Sequence, residues 1–457
     1  MQGLLQRLRT PLAGLALAAL AAPLPLMAQD APPAPDSGNI MLLDTLLKNG
    51  VITQAQYDQL VAQEKRKAAA PVATVVAPSP PPAEKSGNGI ALETPPRKKN
   101  DDFTLKIGGR IHADYGFADS DKTKIGSAQE MRRLRFDISG TIYQDWAYML
   151  SYDFAASPDD IKNAYVSYIG FKDTELTVGY FKEPFSLEYQ TSNKALEFNE
   201  RSMLNDSIDP PKRMGLGYFR HSTLQNGSEY TAAVGLFGHA VPQDTDEGGN
   251  SGVGVAGRAT YVPFHEKDRL FHIGIDGEWR HPGDGEPVGM STHPNAHFAS
   301  SLIDTGPILN VDNQTKLGGE LAGVYKRLSM QAQYDTEKVK RSTGPDLTFN
   351  GWYAQASLFL TDDSRAPAYE NGSYGTIKPH GKYGAWQIGL RYDTQNLTSH
   401  DIVGGEETNV DAALNWYVNR YLRFSVNYVK VIKLDRPGDP HDGDKPTLVI
   451  GRMWIGW

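Results

Sequence analysis

Apolar and polar positions alternate from Phe103 to Phe117. Phe103, Leu105, Ile107, Gly109, Ile111, Ala113, Tyr115 and Phe117 fall on one face, and Thr104, Lys106, Arg110, His112 and Asp114 on the other. Side chains of a strand change sides at every residue, so this pattern predicts one face in hydrocarbon and one in water. The run is long beside a soluble strand of about 5–6 residues, and it suits a tilted strand that crosses an outer membrane and projects beyond it.

The same alternation recurs downstream. Leu134–Ile142 and Trp146–Phe154 carry it, as do Leu176–Tyr180, Tyr230–Leu236, Val253–Tyr261, Phe271–Trp279, Leu317–Tyr325 and Leu328–Tyr334. Trp352–Leu360, Trp386–Tyr392, Val410–Val418 and Leu422–Tyr428 follow, with weaker runs near 161–171, 213–221 and 447–457. The count is sixteen, and an even number is what a barrel with both ends in the periplasm requires. The connections alternate too. Those at 143–145, 172–174, 222–228, 265–268, 326–327 and 419–420 are short, whereas 118–129, 183–212, 239–251, 281–314 and 433–446 are long and rich in Asp, Gly and Pro. Short periplasmic turns facing long external loops are the asymmetry of an outer-membrane barrel. One connection, 361–383, is long yet falls in a periplasmic slot, so either the register slips there or that turn is elaborated. Met453, Ile455 and Trp457 share a face at the close of the last run, placing an aromatic at the membrane interface.

Ahead of the barrel, residues 1–28 read as a secretory signal peptide: Arg7 and Arg9 precede an apolar core from Leu12 to Ala22 and a Leu26-Met27-Ala28 end. Residues 29–67 read as helical. Ile40, Leu43 and Leu47 recur at helical spacing, as do Tyr57, Leu60 and Val61, and Thr53-Gln54-Ala55-Gln56 is a capping box. This segment is either a coiled-coil-like module that assists oligomerisation in the periplasm or an amphipathic hairpin without a partner. Residues 68–102 hold seven prolines and form a linker that, at about 3.1 Å per residue in polyproline II, reaches up to roughly 100 Å.

Composition fits an all-β, 16-stranded antiparallel transmembrane barrel over 103–457. Mean hydropathy is −0.45, which excludes a helical membrane protein but not alternating strands. Cysteine is absent, so there is no disulfide framework, thiolate metal site or cysteine nucleophile. Gly252-Val253-Gly254-Val255-Ala256-Gly257 imitates a dinucleotide fingerprint but opens no helix, and its valines continue a strand. His265-Glu266 lacks the second histidine of a zincin, and Asp244, Asp246 and Glu247 read as a hydrated external loop rather than a calcium site. There is no G-x-S-x-G elbow, and nothing pairs Ser291 or His293 with an acid at a meaningful spacing. These readings leave no cofactor, no metal, no nucleic-acid partner and no enzyme; a barrel lipase or protease is the remote alternative.

Several segments carry a resemblance. M-R-R-L-R-F-D-I-S-G-T-I-Y-Q-D-W-A-Y-M-L-S-Y-D-F (131–154), G-Y-F-K-E-P-F-S-L-E (179–188) with E-R-S-M (200–203), L-F-L-T-D-D-S-R (358–365), G-A-W-Q-I-G-L-R-Y (384–392) and L-L-D-T-L-L-K-N-G-V-I-T-Q-A-Q-Y (42–57) resemble the phosphate-selective porin O and P family. The resemblance implies a homotrimer in the lipid of the bacterial outer membrane, with the N-terminal segment in the periplasm. It also implies passive uptake of phosphate or related anions through a pore lined by Arg and Lys.

The residues themselves suggest how such a pore is built. The segment Glu183–Lys212 follows the fifth strand, runs about thirty residues without sustained alternation, and is a candidate constriction if folded into the lumen. Lys194, Arg201 and Lys212 lie in it, with Lys182 at its entry and Arg213 at its exit. Strand phase points Lys106, Arg110, Arg133, Arg135, Arg258, Arg391 and Arg423 inward, Arg133 and Arg135 being the leading wall candidates. Arg132 matches the family motif with the opposite phase, so pointing inward requires a bulge or loop there. A guanidinium fork matches two oxygens of an oxyanion at once, and a ladder of such groups replaces hydration stepwise. Charge limits the claim. The barrel carries 36 basic and 45 acidic residues, and 182–213 carries five and six. Asp137 is a ready partner for Arg135. Anion preference then depends on segregation of charge at the narrowest point. The alternative is a porin of the same fold with general or different selectivity.

Overall fold

The computed structural model describes residues 47–48, 53–54, 57–58, 103–155, 161–238, 252–283 and 285–457. The chain divides into two units, 1–83 and 84–457. In the first, Leu47, Lys48, Gln54, Tyr57 and Asp58 are helical, and the Tyr57 amide donates to the Thr53 carbonyl at 3.0 Å. The signal peptide, most of the 29–67 segment, the linker and the acidic loop 239–251 lie outside the described residues.

The second unit is the barrel that the alternation predicts. Its first nine strands are β1 (Lys106–Asp119), β2 (Ser127–Ile142), β3 (Trp146–Asp153), β4 (Ile161–Tyr168), β5 (Thr174–Lys182), β6 (Lys212–Thr223), β7 (Glu229–Phe237), β8 (Val253–His265) and β9 (Arg269–His281). A two-residue pair, β10 (Ser291–Thr292) and β11 (Ile303–Asp304), lies in an external loop. The wall resumes with β12 (Val311–Tyr325), β13 (Leu328–Arg341) and β14 (Leu347–Phe359). A second small pair, β15 (Tyr369–Glu370) and β16 (Ser373–Tyr374), precedes β17 (Ala385–Ser399), β18 (Ile402–Asn419), β19 (Leu422–Asp435) and β20 (Thr447–Gly456). Sixteen strands close into one antiparallel barrel, with β1 paired to β20. Among the described residues no helix is long and apolar enough to cross a membrane; the strands are amphipathic instead. Val178, Ile275 and Leu317 face outward and are more than half exposed, while Arg110, His112 and Asp114 face inward and are buried. Exposed and half-buried aromatics gather beside the periplasmic turns (Tyr143 and Trp146, Tyr168 and Phe171, Trp386 and Trp416), as an interfacial girdle requires.

On one side the wall stands higher than the sequence pattern suggests. Alternation on β13 and β14 holds with hydrocarbon outside from Leu328 to Tyr334 and from Trp352 to Leu358, then reverses. Val339, Leu347 and Phe349 point inward and are fully buried, while Lys338 and Asp346 pair outside. The inward side chains pack with Met290, Leu302, Ile303 and Ile308 of the external loop, and with Leu397, Val431 and Leu434. Above the bilayer the core is inside and water outside, so the sign of the pattern flips. By contrast β3, β4 and β5 span only 8, 8 and 9 residues, leaving a low flank.

The register does not slip at 360–384; that periplasmic turn is elaborated. Its Ala366, Tyr369 and Tyr374 are buried against Val262, Leu270, Ala322 and Val324 of the inner wall. Arg258 donates to the Gly372 carbonyl at 2.8 Å and His265 pairs with the Ala366 carbonyl at 2.9 Å, so the turn folds up inside the barrel.

Candidate functional site

The connection from β5 to β6 also turns inward. Ser186 caps a one-turn helix, Leu187–Gln190, by accepting from the Tyr189 amide at 3.2 Å, and a second short helix spans Met203–Ser207. Phe185, Leu187, Phe198, Met203, Leu204 and Ile208 are almost fully buried. Leu204 and Ile208 pack on Tyr353 of β14. The Glu197 carboxylate collects donors from the far wall: Ser329 at 3.0 Å, Gln355 at 3.1 Å, Gln387 at 2.8 Å and Ser357. Arg365 of the periplasmic turn adds an ion pair at 2.8 Å, so the two inward folds are joined. Asn199 donates to the Ile450 carbonyl at 3.2 Å, and Asn415 donates to the Glu197 carbonyl at 2.8 Å.

This packing sorts the charges that cancel in the sequence. Asp276, Glu278, Glu320, Asp335, Glu337, Asp393, Glu407 and Asp411 of the wall are at most 7 % exposed. Three of them have buried cations as close partners: Arg258 to Glu320 at 2.6 Å, Arg280 to Glu278 at 2.6 Å, Lys316 to Glu278 at 3.4 Å and Arg391 to Asp411 at 2.6 Å. Arg423 donates to the Leu196 carbonyl at 2.6 Å. Arg258, Arg391 and Arg423 therefore point inward as their phase requires, but all three are buried and committed to bonds with wall, periplasmic turn or inward loop.

The other candidates gather at β1, β2, β5, β6 and the inward segment. Arg110 pairs in register with Arg135, and Lys182 with Lys212. Arg110 bonds Asp137 at 2.9 Å and Asn193 at 2.6 Å; Arg135 takes Asp153 at 3.0 Å rather than Asp137. Lys182 donates to the Tyr189 and Gln190 carbonyls, Lys212 to the Lys162 carbonyl and to Asn163 at 2.9 Å. Arg201 braces the loop through the Glu188 and Thr191 carbonyls at 3.0 and 2.8 Å. Lys106 lies exposed near the periplasmic end of β1. Arg213 departs from this group, paired with Glu183 at 2.5 Å. Lys182, Lys194, Arg201 and Lys212 have no carboxylate within 4.0 Å among the described residues, and all four are partly exposed. Their charges, with those of Arg110 and Arg135, repel one another. Burial, reinforced by Arg110, pushes the Lys194 ammonium down to about 7.

Arg132 and Arg133 both face inward because the β1–β2 register shifts: His112 pairs with Arg133 and Ala113 with Met131, leaving Arg132 in the bulge. Arg132 bonds Glu200 at 2.9 and 3.0 Å, and Arg133 lies 3.5 Å from it. The pattern reading missed Arg452, which joins the same carboxylate. Its signal was available, since it holds the phase opposite to Met453 and Ile455.

Residues 105–454 match the family described as phosphate-selective porin O and P. The chain belongs to that family. The porin is 27 % identical over 401 residues to Porin O of Pseudomonas aeruginosa, covering 79 % of this chain and 90 % of that one. It is 29 % identical to an uncharacterized protein of Caulobacter vibrioides over 377 residues, 79 % of this chain and 75 % of that one. Solved structures similar to it include an anion-selective porin from Comamonas acidovorans (TM-score 0.48, 10 % identity, 78 % of this chain and 100 % of that one). OmpT of Vibrio cholerae in its trimer form gives the same figures. Family and fold place the porin in the bacterial outer membrane, as a channel rather than an enzyme.

Proposed function

We propose that this porin conducts small anions by passive diffusion, phosphate or polyphosphate among them, through a lumen narrowed by the 183–212 segment, and that it works as a homotrimer. One observation carries the reading: the wall carboxylates are buried, Glu278, Glu320 and Asp411 in ion pairs, while Lys182, Lys194, Arg201 and Lys212 are partly exposed with no carboxylate within 4.0 Å among the described residues. A net charge of −9 over the barrel therefore coexists with a positive local field. Backbone carbonyls hold three of the four, fixing their positions without cancelling their charge. Such groups bind a passing oxyanion weakly enough to release it. The family description and the relative named Porin O support phosphate as cargo.

Planar-bilayer recording tests this. Anion-over-cation reversal potentials, chloride current blocked by millimolar phosphate, and closure in three equal steps are the expected results. Cation preference would sink the anion reading, and anion preference without phosphate block would leave a general anion porin.

A further inference from the structure

Three guanidinium groups from opposite sides of the barrel seam converge on one carboxylate. Arg132 reaches Glu200 with Nε at 2.9 Å and Nη2 at 3.0 Å, Arg133 Nη2 lies at 3.5 Å, and Arg452 Nη2 completes the set. Arg133 and Arg452 are 6 % and 3 % exposed, whereas Arg132 and Glu200 are open to the lumen in part. Asp114 takes the Nε of Arg452 at 2.7 Å, so two carboxylates meet three guanidiniums at ion-pair distance. A carboxylate offers a guanidinium fork the same two coplanar oxygens that an oxyanion does.

The main chain around Glu200 is held without its side chain. Arg391 donates to the Glu200 carbonyl at 3.2 Å, Ser425 donates to the Asn199 side chain at 2.6 Å, and Arg201 is fastened to the loop. The carboxylate can therefore leave the arginines while the segment stays in place.

We propose that Glu200 is a resident stand-in for the permeating anion, occupying a three-arginine oxyanion subsite formed by Arg132, Arg133 and Arg452 and competing with solutes for it. The subsite takes tetrahedral or planar oxyanions, with inorganic phosphate the simplest. Occupancy by the solute requires the carboxylate to swing aside, which keeps the subsite from holding its cargo too tightly. This inference rests on the anion reading above and adds the element that tunes it.

The test is Glu200→Gln in planar bilayers, with block of chloride current by inorganic phosphate as the readout. Glutamine keeps the shape and removes the competing charge. With a hydrogen bond to a charged group worth about 1.5–3 kcal/mol, the phosphate concentration for half block should fall by at least about tenfold. Glu200→Asp, which keeps the charge on a shorter arm, should fall between, and it carries the test alone if the glutamine variant does not insert. Unchanged block overturns the proposal. Higher conductance with weaker block also overturns it, because the carboxylate is then an anchor of the loop. Cation preference in the unmodified porin would instead overturn the underlying reading.

Discussion

The Lys194 ammonium is half-buried, faces Arg110, and finds no carboxylate within 4.0 Å among the described residues. Burial and like charge both disfavour the protonated form, which is why its pKa falls to about 7. The sign follows: the side chain is cationic below that value and neutral above it. Anion selectivity should therefore decline as pH rises through about 7, as reversal potentials recorded across that range would show. Lys194→Arg should keep selectivity high and flat, and Lys194→Ala should leave it low and flat; a persisting pH dependence in the alanine variant would assign the titration to another group. Lys194→Ala and Arg201→Ala should also weaken phosphate block more than Arg423→Ala, because Arg423 is buried and held by the Leu196 carbonyl. Equal effects at all three would place the constriction elsewhere. Which basic residues face inward was legible from strand phase for Arg110, Arg133 and Arg135. Which of them keep a charge to offer was not, since a partner such as Asp153 for Arg135 is chosen by register across strands.

The 183–212 segment and the 360–384 turn act as one element because Arg365 and Glu197 join them. Arg365 also stacks on Tyr374, 3.7 Å from its ring centroid. Arg365→Ala would leave the Glu197 carboxylate with only neutral donors in a buried site. Removing one partner of such a pair costs about 3–5 kcal/mol. Thermal unfolding in detergent micelles should show the loss, and single-channel traces should grow noisier as the segment loosens; unchanged stability and quiet traces would mean the neutral donors suffice. Both inward folds left a trace in the sequence: 183–212 as lost alternation, 361–383 as a connection too long for its slot. The tall wall left a misleading one. Alternation with apolar residues outside stops at Tyr334 and resumes at Trp352, yet β13 and β14 run on to Arg341 and back to Leu347. A pattern reader tuned to hydrocarbon outside passes over Val339, Leu347 and Phe349, whose cover comes from the external loop.

For the whole molecule, sixteen strands and antiparallel order were legible, because a two-residue period survives whatever the loops do. The sorting of charge was not. A count over the chain weighs Asp276 and Lys194 equally, and only the packing decides that one is buried and the other partly open. Closure depends on a close approach at Gly109, which exchanges both backbone bonds with Trp457 at 3.2 Å. A Cβ there would lie 2.6 Å from the Trp457 ring and 2.7 Å from the Arg135 carbonyl. Gly109→Val should lower the yield of closed barrel, read as loss of the heat-modifiable band on gels; a wild-type yield would show that the seam tolerates a shifted strand.

The seam also carries the bond between Asp114 and Arg452, 338 residues apart in the chain. Bringing residues of such separation together carries a loop-closure entropy cost that sealing the barrel must offset. Arg132 and Arg133 come from the first hairpin, but Arg452 arrives only with the final strand. The full three-arginine grip on Glu200 therefore exists only where the first hairpin and the final strand meet, and a barrel left open at the seam would lack its third arginine.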